Sequence, residues 1–241
     1  MKRKILLILF AASLVPSLHI VNASAEEKPC LDCHKSIRAG KTAHPALDAG
    51  CPSCHGSPHA KKKPELSLLS APPDLCFNCH DKGMFTKKFQ HSAVAAGMCT
   101  SCHNPHSSNN KKLLKAEPPD LCYTCHDKKA FAKKTVHAPV AAGMCGDCHN
   151  PHAADAMFQL LKPINELCLN CHTEANIGNG VHVVRGFRST GHPVKEKQDP
   201  VRTGRDFACT ACHDPHSSEW VKLYRYKAQS SFELCRNCHK K

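Results

Sequence analysis

Cys99-Thr100-Ser101-Cys102-His103-Asn104-Pro105-His106 contains two features whose recurrence organises the whole chain. The first is Cys-x-x-Cys-His, the spacing used for covalent attachment of a c-type haem. The second is another histidine, three residues after the first. Cys-x-x-Cys-His occurs nine times in 241 residues. The segments are Cys30, Cys33 and His34; Cys51, Cys54 and His55; Cys76, Cys79 and His80; Cys99, Cys102 and His103; Cys122, Cys125 and His126; Cys145, Cys148 and His149; Cys168, Cys171 and His172; Cys209, Cys212 and His213; and Cys235, Cys238 and His239. They use all 18 cysteines, so none is left for a disulfide.

The chemistry follows from the spacing. In one helical turn, positions i, i+3 and i+4 share a face. Two thiols can then take the two vinyl groups of one porphyrin while the imidazole reaches its iron. Zinc is the main competitor for Cys-x-x-Cys pairs, but it does not require a histidine directly after every second cysteine. A thioredoxin-like dithiol does not call for that histidine either, and the chain offers no βαβ context for one. Every segment carries the histidine, so nine haem c groups are expected.

The segments alternate between two types. The third, fifth, seventh and ninth follow an acidic-plus-leucine lead, as in Pro72-Pro73-Asp74-Leu75 and Ser231-Phe232-Glu233-Leu234. The second, fourth, sixth and eighth are followed by Pro-His. Cys30, Cys76, Cys122 and Cys168 are each 46 residues apart, a paired-haem repeat. Cys168 to Cys235 is 67 residues, which places an insertion at about 184–207. Its arginines, glycines and Pro193 read as loop. It is either a feature specific to this protein or a tolerated surface insertion.

Nine irons need nine further ligands. Of 19 histidines, nine are proximal and His19 falls in the leader. The remaining nine are His44, His59, His91, His106, His137, His152, His182, His192 and His216. The equal count and regular placement make them the expected distal ligands. His192 has no counterpart in other repeats. Met84, Met98, Met144 and Met157 are the alternative thioether ligands. Three extended residues span at most about 10 Å, so His106 is not expected to reach round its own porphyrin. It should ligate a neighbouring haem, as should His59, His152 and His216. With every iron held by two histidines there is no open site, which argues against an enzyme; no catalytic residue is assigned.

Composition agrees with an interior supplied by cofactors. Aromatic residues are 5% and there is one tryptophan, too little bulky apolar material for an ordinary core of this length. Residues 1–25 read as a secretory signal: Lys2, Arg3 and Lys4, an apolar run, then Ala23-Ser24-Ala25. Residues 26–241 form the mature nonahaem domain, with no other stretch able to span a membrane. The formal charge of +13 falls to +10 without the leader, and haem propionates would add roughly −18. Nucleic-acid binding is not expected, since the basic residues lack interleaved aromatics. Short helices are expected at the attachment segments and just after them, with little or no β structure.

The alternating Cys-x-x-Cys-His-x-Pro-His pattern, spanning Cys30 to His239, resembles the multihaem c-type cytochromes with doubled haem motifs. These include the periplasmic pentahaem and decahaem carriers. The resemblance implies an elongated haem chain of mostly coil and short α-helices, with low-spin bis-histidine haems. It implies a periplasmic carrier between an inner-membrane quinol-oxidising cytochrome and a terminal reductase or outer-membrane conduit. An outer-membrane-associated or extracellular place, as a haem filament or porin–cytochrome subunit, is one alternative. A reductase with one open haem is another. Nine segments match neither the pentahaem nor the decahaem group.

Overall fold

A computed structural model of the chain describes residues 30–56, 67–172, 177–178, 181–182, 192–194 and 198–239; at 177, 178, 181, 182 and 193 the backbone alone is described. The leader at 1–25, His59 and the lysine run 61–63 therefore lie outside the described residues. Two compact units are present, Met1–Lys35 and Ser36–Lys241. The described part of the first is the first attachment segment, whose single helical turn is Cys30–Cys33.

Each attachment segment is one turn and little more. In all nine, the N–H of the histidine donates to the carbonyl of the first cysteine at 2.9–3.0 Å. Prolines bound the turns. Pro73 and Pro119 precede the turns Asp74–Phe77 and Asp120–Tyr123. Pro105, Pro151 and Pro215 follow the even segments, where proline cannot continue a helix. Asp74, Asp120, Glu166 and Glu233 lie in first turns, where negative charge is favoured.

Each even segment then folds back on the chain that follows it. The N–H groups of Asn104, Asn150 and Asp214 donate to the carbonyls of Leu113, Gln159 and Leu223 at 2.7–2.8 Å. Those of Lys115, Leu161 and Arg225 return to Cys102, Cys148 and Cys212 at 2.8–3.0 Å. The reversal uses left-handed residues that are not glycine. Lys112 and Leu113, Phe158 and Gln159, and Lys222 and Leu223 all have φ between 55° and 62°. Such backbone costs roughly 1 kcal/mol per residue and is kept where its surroundings fix it.

Two-residue antiparallel ladders tie one repeat to another. Thr42 and Ala43 pair with Ser108 and Ser107; Phe89 and Gln90 with Ala154 and Ala153; Thr135 and Val136 with Ser218 and Ser217. These ladders carry no sustained alternation, so they leave no strand pattern in the sequence. A further small sheet pairs Ile177–Gly178, Val181–His182 and His192–Pro193.

The buried set is small. It comprises Ala153, Ala154, Phe207, Ala208, Ala211, Tyr224 and Ala228, with Ser107, Asp199, Ser217 and Ser218. Leu68, Leu69, Met84, Met98, Met144, Met157 and Phe158 are exposed. The described end of the insertion is mostly exposed but buries two side chains. Phe207 is 7% exposed, and the buried Asp199 carboxylate accepts from the backbone of Val201 and Arg202 and from Arg202 Nε at 2.6 Å.

Candidate haem sites

The ladders place the histidines. Each ladder ends where the N–H of one histidine donates to the carbonyl of another. His44 donates to His106 at 2.7 Å, His91 to His152 at 2.9 Å and His137 to His216 at 3.0 Å. His44, His91 and His137 also cap the helices or turns that lead to the next attachment segment. An Asx turn sets the other three. Asn104 and Asn150 Oδ1 accept from the N–H of His106 and His152 at 3.0 Å, and Asp214 Oδ1 accepts from His216 at 3.1 Å.

The imidazoles meet in pairs. Ring centroids are 6.0 Å apart for His44 with His80, 6.0 Å for His55 with His106 and 6.0 Å for His91 with His126. They are 5.9 Å apart for His103 with His152, 6.1 Å for His137 with His172, 5.8 Å for His149 with His216 and 6.0 Å for His192 with His239. Ring packing alone spans a broad range, roughly 4.5–7 Å, whereas these seven fall within 5.8–6.1 Å. A metal–imidazole bond is about 2.0 Å and the ring nitrogen lies about 1.1 Å from its centroid, so two imidazoles on opposite sides of one metal ion have centroids roughly 6 Å apart. Seven pairs share that spacing, and each joins one proximal histidine to one histidine from the distal set.

The pairing has a rule. Each even segment from the second to the sixth faces the histidine that follows the next even segment. Each odd segment from the third to the seventh faces the histidine that follows the preceding odd one. His106, His152 and His216 are thus paired two segments back, none with its own segment. The ninth segment faces His192, from the insertion. The His182 side chain and His59 lie outside the described residues.

Protonation is arranged for ligation. Nδ1 of His103, His149 and His213 lies 2.8–2.9 Å from the carbonyl oxygens of Lys112, Phe158 and Lys222. A carbonyl only accepts, so Nδ1 is the donor and Nε2 is the ring atom that would bind a metal. The strained left-handed turns therefore deliver these acceptors. His137 Nδ1 meets the Pro215 carbonyl at 3.0 Å in the same way. Burial, reinforced by the facing imidazole, pushes His91, His106, His152 and His216 below the usual histidine value. They are held neutral, the form that binds a metal.

The thiols show how the segments follow one another. Burial first, then the Cys99 thiol and also Cys54, push Cys76 up. Burial, Cys145 and Cys102 push Cys122 up to about 11. Cys209 first, then burial and Cys148, raise Cys168, while its hydrogen bond with Cys168 brings Cys209 down to about 7. Burial and Cys238 push Cys212 up to about 11. Once alkylated these sulfurs no longer titrate; what the shifts establish is adjacency. From the second segment to the ninth, each lies beside the next, so spatial order follows chain order.

Residues 44–85, 91–131, 137–177 and 199–241 match the family described as the doubled CXXCH motif. The chain belongs to that family. It is a multihaem c-type cytochrome, built mostly of coil and short helices and carrying several covalent haem c groups. Eight of its segments lie inside the matched stretches. The first three matches begin at His44, His91 and His137, so each doubled-CXXCH unit runs from one of these ladder histidines through an even segment and the odd one after it. The first segment, Cys30–His34, stands before them. No curated protein matches the chain. Among the described residues no helix is long and apolar enough to cross a membrane.

The doubled-CXXCH residues fit haem on observations independent of the motif. The histidine spacing is that of two axial ligands. The exposed Met84, Met98, Met144 and Phe158 are large apolar side chains that a porphyrin face would cover, and Tyr226 Oη is buried without a partner. Several contributors escape a motif search. The carbonyls of Lys112, Phe158 and Lys222 carry no residue-type signal. Asn104, Asn150 and Asp214, each just after a proximal histidine and before proline, are a signal that spacing could have supplied. Phe85 and Phe131, 46 residues apart, pack on His152 and His216 at 4.8 and 5.1 Å.

Proposed function

We propose that this cytochrome carries electrons through nine covalently attached haems, each held by two histidines. Cys-x-x-Cys pairs would hold the porphyrins. Axial ligands would be His34, His55, His80, His103, His126, His149, His172, His213 and His239, with His44, His59, His91, His106, His137, His152, His182, His192 and His216. The observation that carries this reading is the common 5.8–6.1 Å spacing of the seven described ring pairs. His182 is opposite His192 in strand register.

Haem supplies the one-electron couple. The chain's own part is to fill both axial positions, keep the ligands neutral and set each segment against the next. No axial position is then left for a small-molecule substrate, which favours a carrier over a reductase. The basic and apolar stretch within residues 1–25 supports export, and c-type haem is attached outside the cytoplasm. The carrier would work in the periplasm, between a quinol-oxidising cytochrome of the inner membrane and a terminal reductase or outer-membrane conduit.

Mass spectrometry of the purified holoprotein tests the count, with nine haem additions expected. Ferric spectra test the ligands. All haems should be low spin, and neither cyanide nor nitrite should bind. A different number of additions overturns the nonahaem reading, and a high-spin centre overturns the carrier without an open iron.

A further inference from the structure

One ring pair differs from the others. Six described pairs have interplanar angles between 6° and 35°. His192 and His239, at the same 6.0 Å, cross at 77°. The difference follows from where the distal histidine originates. The distal histidines of the other six pairs sit in the repeat ladders and Asx turns. His192 lies in the insertion, on the strand His192–Pro193.

Its ring is held from outside the repeat. The Phe207 ring lies 5.7 Å from it, tilted by 39°. Phe207 is buried, as is Ala208 beside it. One side chain ties both partners to a common frame. Asn165 Nδ2 donates to the Val194 carbonyl at 2.8 Å, two residues from His192. Asn165 Oδ1 accepts from the Cys209 N–H at 3.0 Å, two residues from Phe207. The clamp fixes the backbone beside both rings, and burial holds the Phe207 side chain in place.

Ring angle matters to an iron between two imidazoles. Each ring donates π density into the iron d orbital that lies across its own plane. Near-parallel rings act on one orbital and split the pair. Crossed rings act on both and leave them nearly degenerate.

We propose that Phe207 is a positioning residue that holds His192 crossed to His239, making the ninth haem electronically distinct from the repeat haems. This rests on the reading of both histidines as ligands of one iron. Electron paramagnetic resonance of the oxidised holoprotein tests it. One low-spin centre should give a strongly anisotropic low-field signal beside the rhombic signals of the rest. Phe207→Leu keeps apolar bulk but removes the flat face. It should move that one centre into the rhombic class, with haem mass and low-spin count unchanged. His192→Ala should abolish the low-field signal and produce one high-spin centre.

A wild-type spectrum with every haem low spin and no low-field signal overturns the proposal, and needs no variant to fold. So does a Phe207→Leu protein that retains the signal. A high-spin centre in the wild type, or His192→Ala without a change of spin state, instead overturns the underlying assignment of His192 as a ligand.

Discussion

Removing the His152 imidazole separates two ligand assignments that differ only in which haem is affected. In sequence His152 is three residues from His149. In the fold its ring faces His103 at 5.9 Å, while His149 faces His216. His152→Ala should therefore leave the fourth iron one ligand short and the sixth untouched. The backbone tasks of residue 152 survive the change, because its carbonyl still accepts from the His91 N–H and the adjoining Phe89–Ala154 ladder needs no imidazole. What is lost is a half-buried ring packed on Phe85 at 4.8 Å. That costs about 1–2 kcal/mol, inside the roughly 5–15 kcal/mol that holds a typical domain. The protein should stay folded, and under the nonahaem proposal one haem of nine, about 11% of the ferric total, becomes high spin. Two backgrounds locate it. In Cys99→Ala/Cys102→Ala, which lacks the fourth haem, His152→Ala should add no high-spin signal. In Cys145→Ala/Cys148→Ala, which lacks the sixth, it should. The reverse pattern, or silence in both, refutes the cross-repeat pairing.

Three further perturbations probe the frame. Gly97 has φ 70°, and a Cβ there would meet Pro73 Cδ at 2.7 Å and the Pro72 carbonyl at 3.0 Å. Gly97→Ala should cost about 2–3 kcal/mol in denaturant unfolding; a loss under about 0.5 kcal/mol would contradict the close approach. At Lys112, φ 55°, glycine should be neutral or stabilising by up to about 1 kcal/mol and valine destabilising by about 1–2 kcal/mol; equal stability of the two would remove the strain argument. Burial pushes the Asp199 carboxyl up, but hydrogen bonds from Val201 and Arg202 outweigh it and hold the group below its ordinary value. Its folded pKa is thus below its unfolded one, near 3.9. The stabilisation is complete above that value and is lost as pH falls through the folded pKa. Asp199→Asn should be about 1–3 kcal/mol less stable at neutral pH, with a flatter acid limb in a stability-against-pH series; an unchanged acid limb refutes it.

Legibility divides between what is local and what is not. Cys-x-x-Cys-His is confined to one turn, so the nine turns and their alternation could be read directly from residue order, as could the exclusion of self-ligation from a three-residue reach. The turn-forming prolines and the Asn or Asp after each of three even proximal histidines were equally local. The doubled-CXXCH unit was legible too, although its phase, starting at His44 rather than Cys30, is set by ladders between repeats. Two-residue strands such as Thr42–Ala43 have no alternation to detect. The left-handed turns at Lys112, Phe158 and Lys222 have no glycine to announce them, because the fold, not the side chain, holds that backbone. Loop composition in the insertion concealed Asp199 and Phe207, whose burial depends on residues far away in the chain. The sequence by itself determined how many attachment segments there are, their chemistry and which partners each even histidine cannot have. Only the tertiary structure decided which histidine faces which, because that choice is made by hydrogen bonds between repeats that residue order does not encode.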